Sequence, residues 1–318
     1  MTGPAIETTD LAKRYGATVA VAGISLRVER GEVFGFLGPN GAGKSTTVKL
    51  LLGLARPTGG SASVLGRPIG DREARRRIGY LPELFRYQAW LSAREVLALH
   101  CELVGLPKER WPAEIEAGLA LVGLEARAGS RVGTFSKGMQ QRLGLAVALV
   151  GSPELVFLDE PTSALDPIGR IEVREIIGRL RERGTTVFLD SHLLTEVERV
   201  CDRVAIVDHG RVVATGTVGE LTAGDEVAVR VTGLPADALA TLAPAGFGTL
   251  AATEEGIRSV GIDPERVPEL VAALVALGGR IHAVEPARRT LEERFFSVLH
   301  ASTSGAAARP VGSDGPER

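Results

Sequence analysis

The chain has 318 residues, 44% of them hydrophobic and 24% charged, and a net charge of −2. That length accommodates two domains and a large core, and the composition is that of a water-soluble globular protein. The near-neutral balance leaves no footprint for nucleic-acid binding, and no segment approaches the roughly 18 apolar residues of a membrane span. Met1-Thr2-Gly3-Pro4 lacks the basic and apolar regions of a signal peptide. Cys101 and Cys201 stand far apart without metal-ligand spacing, so a reducing compartment is expected and a disulfide or zinc framework is not.

Ile6–Leu11 and Val19–Val28 carry β-branched residues in loose alternation and predict antiparallel strands, with a turn at Glu29-Arg30-Gly31-Glu32. Tyr15 falls in the turn between them. It is either an ordinary exposed aromatic or a surface on which a base could stack. Val33–Leu37 then reads as a buried strand, and Thr47–Leu54 as a helix with Val48, Leu51 and Leu52 on one face. Between them lies Gly38-Pro39-Asn40-Gly41-Ala42-Gly43-Lys44-Ser45, followed by Thr46, which fits G-x-x-x-x-G-K-[ST] at every position. Strand, glycine loop and helix make a phosphate cradle: the glycines let backbone N–H groups face an anion, and the helix start adds its positive dipole end. In that context Lys44 meets the β- and γ-phosphates and the Ser45 hydroxyl holds Mg²⁺. The G-x-G-x-x-G spacing of a dinucleotide fold is absent.

Residues 57–70 read as loop and short strand, Asp71–Arg77 as a short helix, and Ile78–Leu81 as a strand ending before Pro82-Glu83. Glu83 is therefore a polar residue at the carboxyl end of a strand, where ligands bind in open α/β sheets. From about 90 to 150 the pattern is helical. Ser92 and Glu95 make a capping box ahead of a stripe of Val96, Leu97, Leu99 and Leu103, and Ala113–Val122 is a further helix. This insertion either docks a partner or only packs. Ser136 is placed to cap a helix whose buried face is Met139, Leu143, Ala146, Val147 and Val150, giving a second anion-ready helix start with Gly138 in its first turn. Leu155–Leu158 is the continuous apolar run of a parallel strand buried on both faces. It ends at Asp159-Glu160, where paired carboxylates suit a cation and a reacting water.

Ser163-Ala164-Leu165-Asp166 is a turn before a helix from about Gly169 to Glu182, and Thr185–Leu189 is another strand, leading to Asp190-Ser191-His192. His192 gains weight as a functional residue from its place beside the other strand ends. A helix over 193–200 and a hairpin through Asp208-His209-Gly210 follow. Composition changes near Thr222-Ala223-Gly224, after which the order β-α-β-β-α-β predicts a small ferredoxin-like module. Thr290 and Glu293 cap a last helix to about His300, and the polar tail 301–318 is expected to be disordered.

Taken together, these segments resemble the ATP-binding subunit of an ABC transporter over residues 5–220. The residues that carry the resemblance are the P-loop 38–46, Phe135-Ser136-Lys137-Gly138-Met139 as the signature, Leu155–Glu160 as Walker B, Ser163–Asp166 as the D-loop and His192 as the switch histidine. The C-terminal module, with Leu291–Phe296, resembles the appendage of exporters in the drug-resistance and polyketide-antibiotic branch. The fold so implied is α/β: a P-loop cassette (residues 1–222) with a mixed sheet, N-terminal antiparallel strands and a helical insertion. A small C-terminal α+β domain (223–300) and the tail (301–318) complete it. Two departures stand out. Glu83 occupies a position that is usually Gln, and Lys137 and Met139 replace the first Gly and the Gln of Leu-Ser-Gly-Gly-Gln.

The resemblance implies ATP and Mg²⁺ as cofactors and a head-to-tail dimer in which Ser136 and Gly138 face the nucleotide of another subunit. The sequence hints at this independently, since it has two anion-ready helix starts and one Walker pair. In the implied site Tyr15 stacks on the base. Ser45, Asp159 and Glu83 serve the metal, Glu160 orients and deprotonates water, and His192 and Lys44 contact the γ-phosphate. Asp166 links the two sites. A separate membrane permease is the implied partner, which puts the chain on the cytoplasmic face of the membrane; no nucleic acid is expected. The alternative is a soluble ABC ATPase acting on ribosomes or DNA. Such proteins resemble paired cassettes, long coiled coils or zinc-cysteine clusters, and this chain has one P-loop, no sustained heptads and two isolated cysteines. A P-loop kinase would need neither the Ser136 signature nor the Asp159-Glu160 pair.

Overall fold

A computed structural model describes residues 3–163, 165–224, 226–287 and 289–303. Ala164 of the D-loop and most of the C-terminal tail lie outside the described residues. The chain divides into two compact units: one runs to Val218 and takes in the last helix from Phe295, and the other is Gly219–Arg294. The sequence pattern puts the change of domain after Thr222 and gives the last helix to the second domain.

The first unit opens with β1 (Ile6–Tyr15) and β2 (Thr18–Val28), then β3 (Val33–Leu37) and α1 (Lys44–Leu51). β4 (Gly59–Val64) and β5 (Arg67–Pro68) follow, then α2 (Arg72–Arg75) and β6 (Ile78–Leu81). The insertion holds α3 (Ala93–Val104), α4 (Trp111–Leu121) and α5 (Lys137–Ala148). Next come β7 (Leu155–Asp159), α6 (Pro167–Glu182), β8 (Thr186–Asp190), α7 (Leu194–Val200), β9 (Arg203–Asp208) and β10 (Arg211–Thr217), and α8 (Val218–Thr222) spans the division between the units. β2-β1-β4-β5 form one antiparallel sheet. The other has the order β10-β9-β3-β8-β7-β6, with every pair parallel except the β9–β10 hairpin. β3, β7 and β8 are buried along their whole length, as their unbroken apolar runs require. Phe188 lies against Phe34, Phe36 and Phe157, with ring centroids 5.9, 5.2 and 5.2 Å away.

The expected helices and strands are present, with three corrections that matter to function. α1 begins at Lys44 rather than Thr47, because a Gly43 in the left-handed region turns the chain directly into helical geometry. On α3 the buried face is Ala93, Val96, Leu97 and Cys101, while Leu99 and Leu103 are exposed. α5 is buried nearly all round: Gln141, Gly144, Leu145 and Ala148 join Leu143 and Ala146, and Met139 and Val147 are only half-buried. A helix enclosed on several sides has no single apolar stripe to read. Both capping boxes form, at Ser92–Glu95 and at Thr290–Glu293.

The second unit contains β11 (Glu226–Thr232), α9 (Ala238–Leu242), β12 (Thr249–Thr253), β13 (Gly256–Val260), α10 (Val267–Ala276) and β14 (Arg280–Ala287). Its sheet has the order β12-β13-β11-β14, antiparallel throughout. Val229, Ile257, Leu270 and Leu274 belong to its core. The final helix, α11 (Leu291–Thr303), follows.

Candidate active site

Because β3, β8, β7 and β6 are parallel neighbours, their carboxyl ends share one edge, where open α/β sheets bind ligands. The loop 38–45 leaves β3 at this edge. A Cβ on Gly43 (φ 99°) would stand 2.3 Å from the Ala20 carbonyl oxygen, and one on Gly38 would stand 2.4 Å from that of Val207. Neither position admits a side chain. The Gly210 N–H donates to the Ala42 carbonyl at 2.9 Å and the Ala22 N–H to the Gly210 carbonyl at 2.8 Å, so the loop is clasped from behind. Lys44 curls over it, donating to the Gly38 carbonyl at 2.8 Å, with the Pro39 carbonyl at 3.5 Å. Asn40, Gly41 and Ser45 are exposed, Pro39 and Thr46 are half-buried, and Ala42 is buried. With α1 starting at Lys44, the backbone N–H groups of Lys44, Ser45 and Thr46 lie in its first turn, where no intrahelical acceptor exists.

Asp159 ends β7 and is buried. Glu160 follows at φ 52°, a left-handed conformation costly for a side chain of its size, and its N–H donates to the Asp190 carbonyl at 2.9 Å. The turn aims its carboxylate at His192: Oε1 accepts from the His192 backbone N–H at 2.9 Å and lies 2.7 Å from Nδ1 of the ring. Oε2 is buried with no hydrogen-bond partner. Glu83 is exposed just beyond β6. Burial, then the Glu83 charge, pushes the Asp159 carboxyl above the usual range, against the pull of the Glu83 backbone N–H and Lys44. Asp190 ends β8 and is pushed up to about 7, chiefly by burial, with Lys44 opposing and Asp159, Glu160 and Glu83 adding.

Ser136 and Asp166 are at work elsewhere. The Ser136 hydroxyl accepts from the Met139 N–H at 3.2 Å and caps α5, and Asp166 caps α6 through the Gly169 N–H at 2.8 Å. With Gly138 they line a cavity of about 390 Å³ that no residue of the loop 38–46 reaches. Tyr15 closes β1 and is half exposed, with the Lys13 ammonium 4.7 Å from its ring centroid. Of the predicted residues, Glu160 and His192 are in contact beside Asp159, whose carboxyl feels Lys44 and Glu83, and Ser136, Gly138 and Asp166 line a separate cavity; Tyr15 is placed with neither group. Two further polar side chains lie beside these groups and are not among the predicted ones. Gln141 donates from α5 to the Pro161 carbonyl at 3.1 Å, with the Glu160 carbonyl at 3.4 Å. Asp190 is the other. An amide on a buried helix and an acid ending an apolar strand were the available signals.

The ABC transporter family profile matches residues 21–163. An uncharacterized ABC transporter ATP-binding protein of Nostoc sp. is 40% identical over 92% of this chain and 89% of its own length. A Nod factor export ATP-binding protein I of Rhizobium sp. is 40% identical over 68% of this chain and 72% of its own. Among solved structures, a dimeric ATP-binding cassette in a post-hydrolysis state, bound to ADP and Pi, aligns at TM-score 0.62 and 25% identity, covering 67% of this chain and 98% of that one. With its glycine loop, strand-end carboxylates and histidine already assembled, the chain belongs to the ATP-binding, ATP-hydrolysing subunits of ABC transporters.

Proposed function

We propose that this subunit drives export through a separate membrane permease, as a head-to-tail dimer on the cytoplasmic face of the membrane. The observation that carries the catalytic half is the Glu160–His192 contact of 2.7 Å beside the Lys44 loop. Glu160 orients water and accepts its proton as the water oxygen attacks the γ-phosphorus and the bond to the β-phosphate oxygen breaks. His192 contacts the γ-phosphate, and Lys44 neutralises the charge that grows during transfer. A soluble ATPase would share this chemistry; the relative named for export and the exposed Leu84, Trp90, Leu99 and Leu103 around the insertion favour a membrane partner. Among the described residues no helix is long and apolar enough to cross a membrane.

The donor set suits Mg²⁺. The Asp159 carboxylate feels both the Glu83 charge and the Lys44 ammonium, and buried carboxylate oxygens of Glu160 and Asp190 lack partners. Ser45 and Asp159, with Glu83, would hold the ion, which neutralises phosphate charge when bound. Tyr15 is the stacking surface for the base, and Tyr15→Ala is expected to weaken ATP binding by ~1–3 kcal/mol, measured by titration calorimetry. An unchanged dissociation constant would return Tyr15 to an ordinary surface aromatic.

The dimer reading is supported by the separation of the Ser136 cavity from the Lys44 loop within one chain, and by the dimeric state of the structural neighbour. Ser136 and Gly138 then complete the partner's site, with Asp166 between the two. Ser136→Arg places a bulky cation at that seam. ATP binding to the single chain should be retained while the ATP-dependent dimer disappears on gel filtration. A dimer that persists undiminished refutes the head-to-tail arrangement. The cassette (1–222) precedes a ferredoxin-like accessory domain (223–300), a reading supported by the antiparallel order β12-β13-β11-β14.

A further inference from the structure

Four carboxylates stand at or just past the ends of β6, β7 and β8, and the scheme above employs three. Asp190 is left over. It is 3% exposed and ends β8, with Asp159 as its register partner on one side and Phe36, in the strand that feeds the loop, on the other. The run before it, Thr186-Val187-Phe188-Leu189, is otherwise that of a fully buried strand. A carboxylate there carries a desolvation cost of several kcal/mol unless something charged answers it. Its Oδ1 is buried without a hydrogen-bond partner. Lys44 is the opposing charge, against the like charges of Asp159, Glu160 and Glu83. The Asp190 carboxyl thus meets three like charges and one opposing one, and a hard divalent cation is the natural complement.

We propose that Asp190 is a further carboxylate of the Mg²⁺ site, acting beside Asp159 from the adjoining strand. Among the described residues no three acidic, imidazole or thiol side chains form a metal-binding group by themselves. Mg²⁺ usually keeps several of its waters, and Asp190, beside Asp159 in the register, would act on a bound ion through one of them. Asp190 would then be a positioning residue: it orients the ion's water shell and deepens the negative potential, without touching the reacting atoms. This rests on the Mg-ATP reading of the site.

The test uses the full chain with a non-hydrolysable ATP analogue. Asp190→Asn keeps the shape and removes the charge; Asp190→Ser is the second variant, and thermal melting reports folding for both. Mn²⁺ binding is read by electron paramagnetic resonance, and analogue binding in EDTA by calorimetry. The expected result is metal affinity weakened ~10–100-fold, in the range of outer-shell ligand losses, with analogue affinity in EDTA unchanged. Unaltered Mn²⁺ affinity in a folded variant overturns the proposal. So does a change confined to the EDTA measurement, which would make Asp190 a partner of Lys44 alone. If instead the unmodified chain binds no metal with the analogue, or Asp159→Asn has no effect on it, the site reading itself fails.

Discussion

Glu160→Gln should lower ATP turnover at least ~100-fold while nucleotide binding persists, because it removes a general base and almost nothing else. The backbone at Glu160 sits at φ 52°, fixed by its N–H bond to the Asp190 carbonyl rather than by its side chain. An amide of the same shape can still offer its oxygen to the His192 N–H, which Oε1 accepts now at 2.9 Å. The amide nitrogen then takes the place of Oε2, a buried atom without a partner, so little structure depends on it. What the amide lacks is a lone pair basic enough to take a proton from water. Hydrolysis stalls with the γ-phosphate in place, and if that phosphate bridges two subunits the ATP-bound dimer accumulates. Single-turnover kinetics and gel filtration read the two halves separately. Near-normal turnover would remove Glu160 from the role of base; stalled turnover without a dimer would separate the chemistry from the assembly.

How much of this was legible in the sequence depends on whether a feature is local. The glycine loop, the capping serines at 92 and 136 and the strand-end pair Asp159-Glu160 are fixed by short-range geometry, so their spacing alone identifies them. Gln141 is different. It lies on a helix that is enclosed on several sides, and its amide matters only because the turn after β7 passes within 3.1 Å. Leu99 and Leu103 fit a helical stripe on α3 with Val96, yet the face that packs runs through Ala93, Leu97 and Cys101 and leaves them exposed. Asp190 reads as the polar end of a strand until the register sets it beside Asp159. In each case a contact distant in sequence decided the outcome, and periodicity carries no record of such contacts.

Register also predicts where the cassette is most vulnerable. Phe34, Phe188 and Phe157 are aligned across β3, β8 and β7, and the next same-facing residues of those strands are Phe36, Asp190 and Asp159. An aromatic row therefore lies directly beneath the row that carries the carboxylates. Phe188, at its centre, has no solvent exposure and touches all three neighbouring rings. Phe188→Ala should destabilise the cassette by ~3–5 kcal/mol, since the lost transfer energy is joined by a cavity that two flanking strands, themselves buried, cannot close. Lost ring contacts belong to that figure rather than adding to it. The shift should appear in the denaturant midpoint of the cassette transition with its slope unchanged, which separates native-state loss from a change in the unfolded chain. ATP affinity should fall with it at temperatures well below melting, because the floor that sets the spacing of Asp159 and Asp190 has softened. A loss under ~0.5 kcal/mol, the ordinary range of a surface change, would mean that the three strands hold their ends in place without the aromatic row.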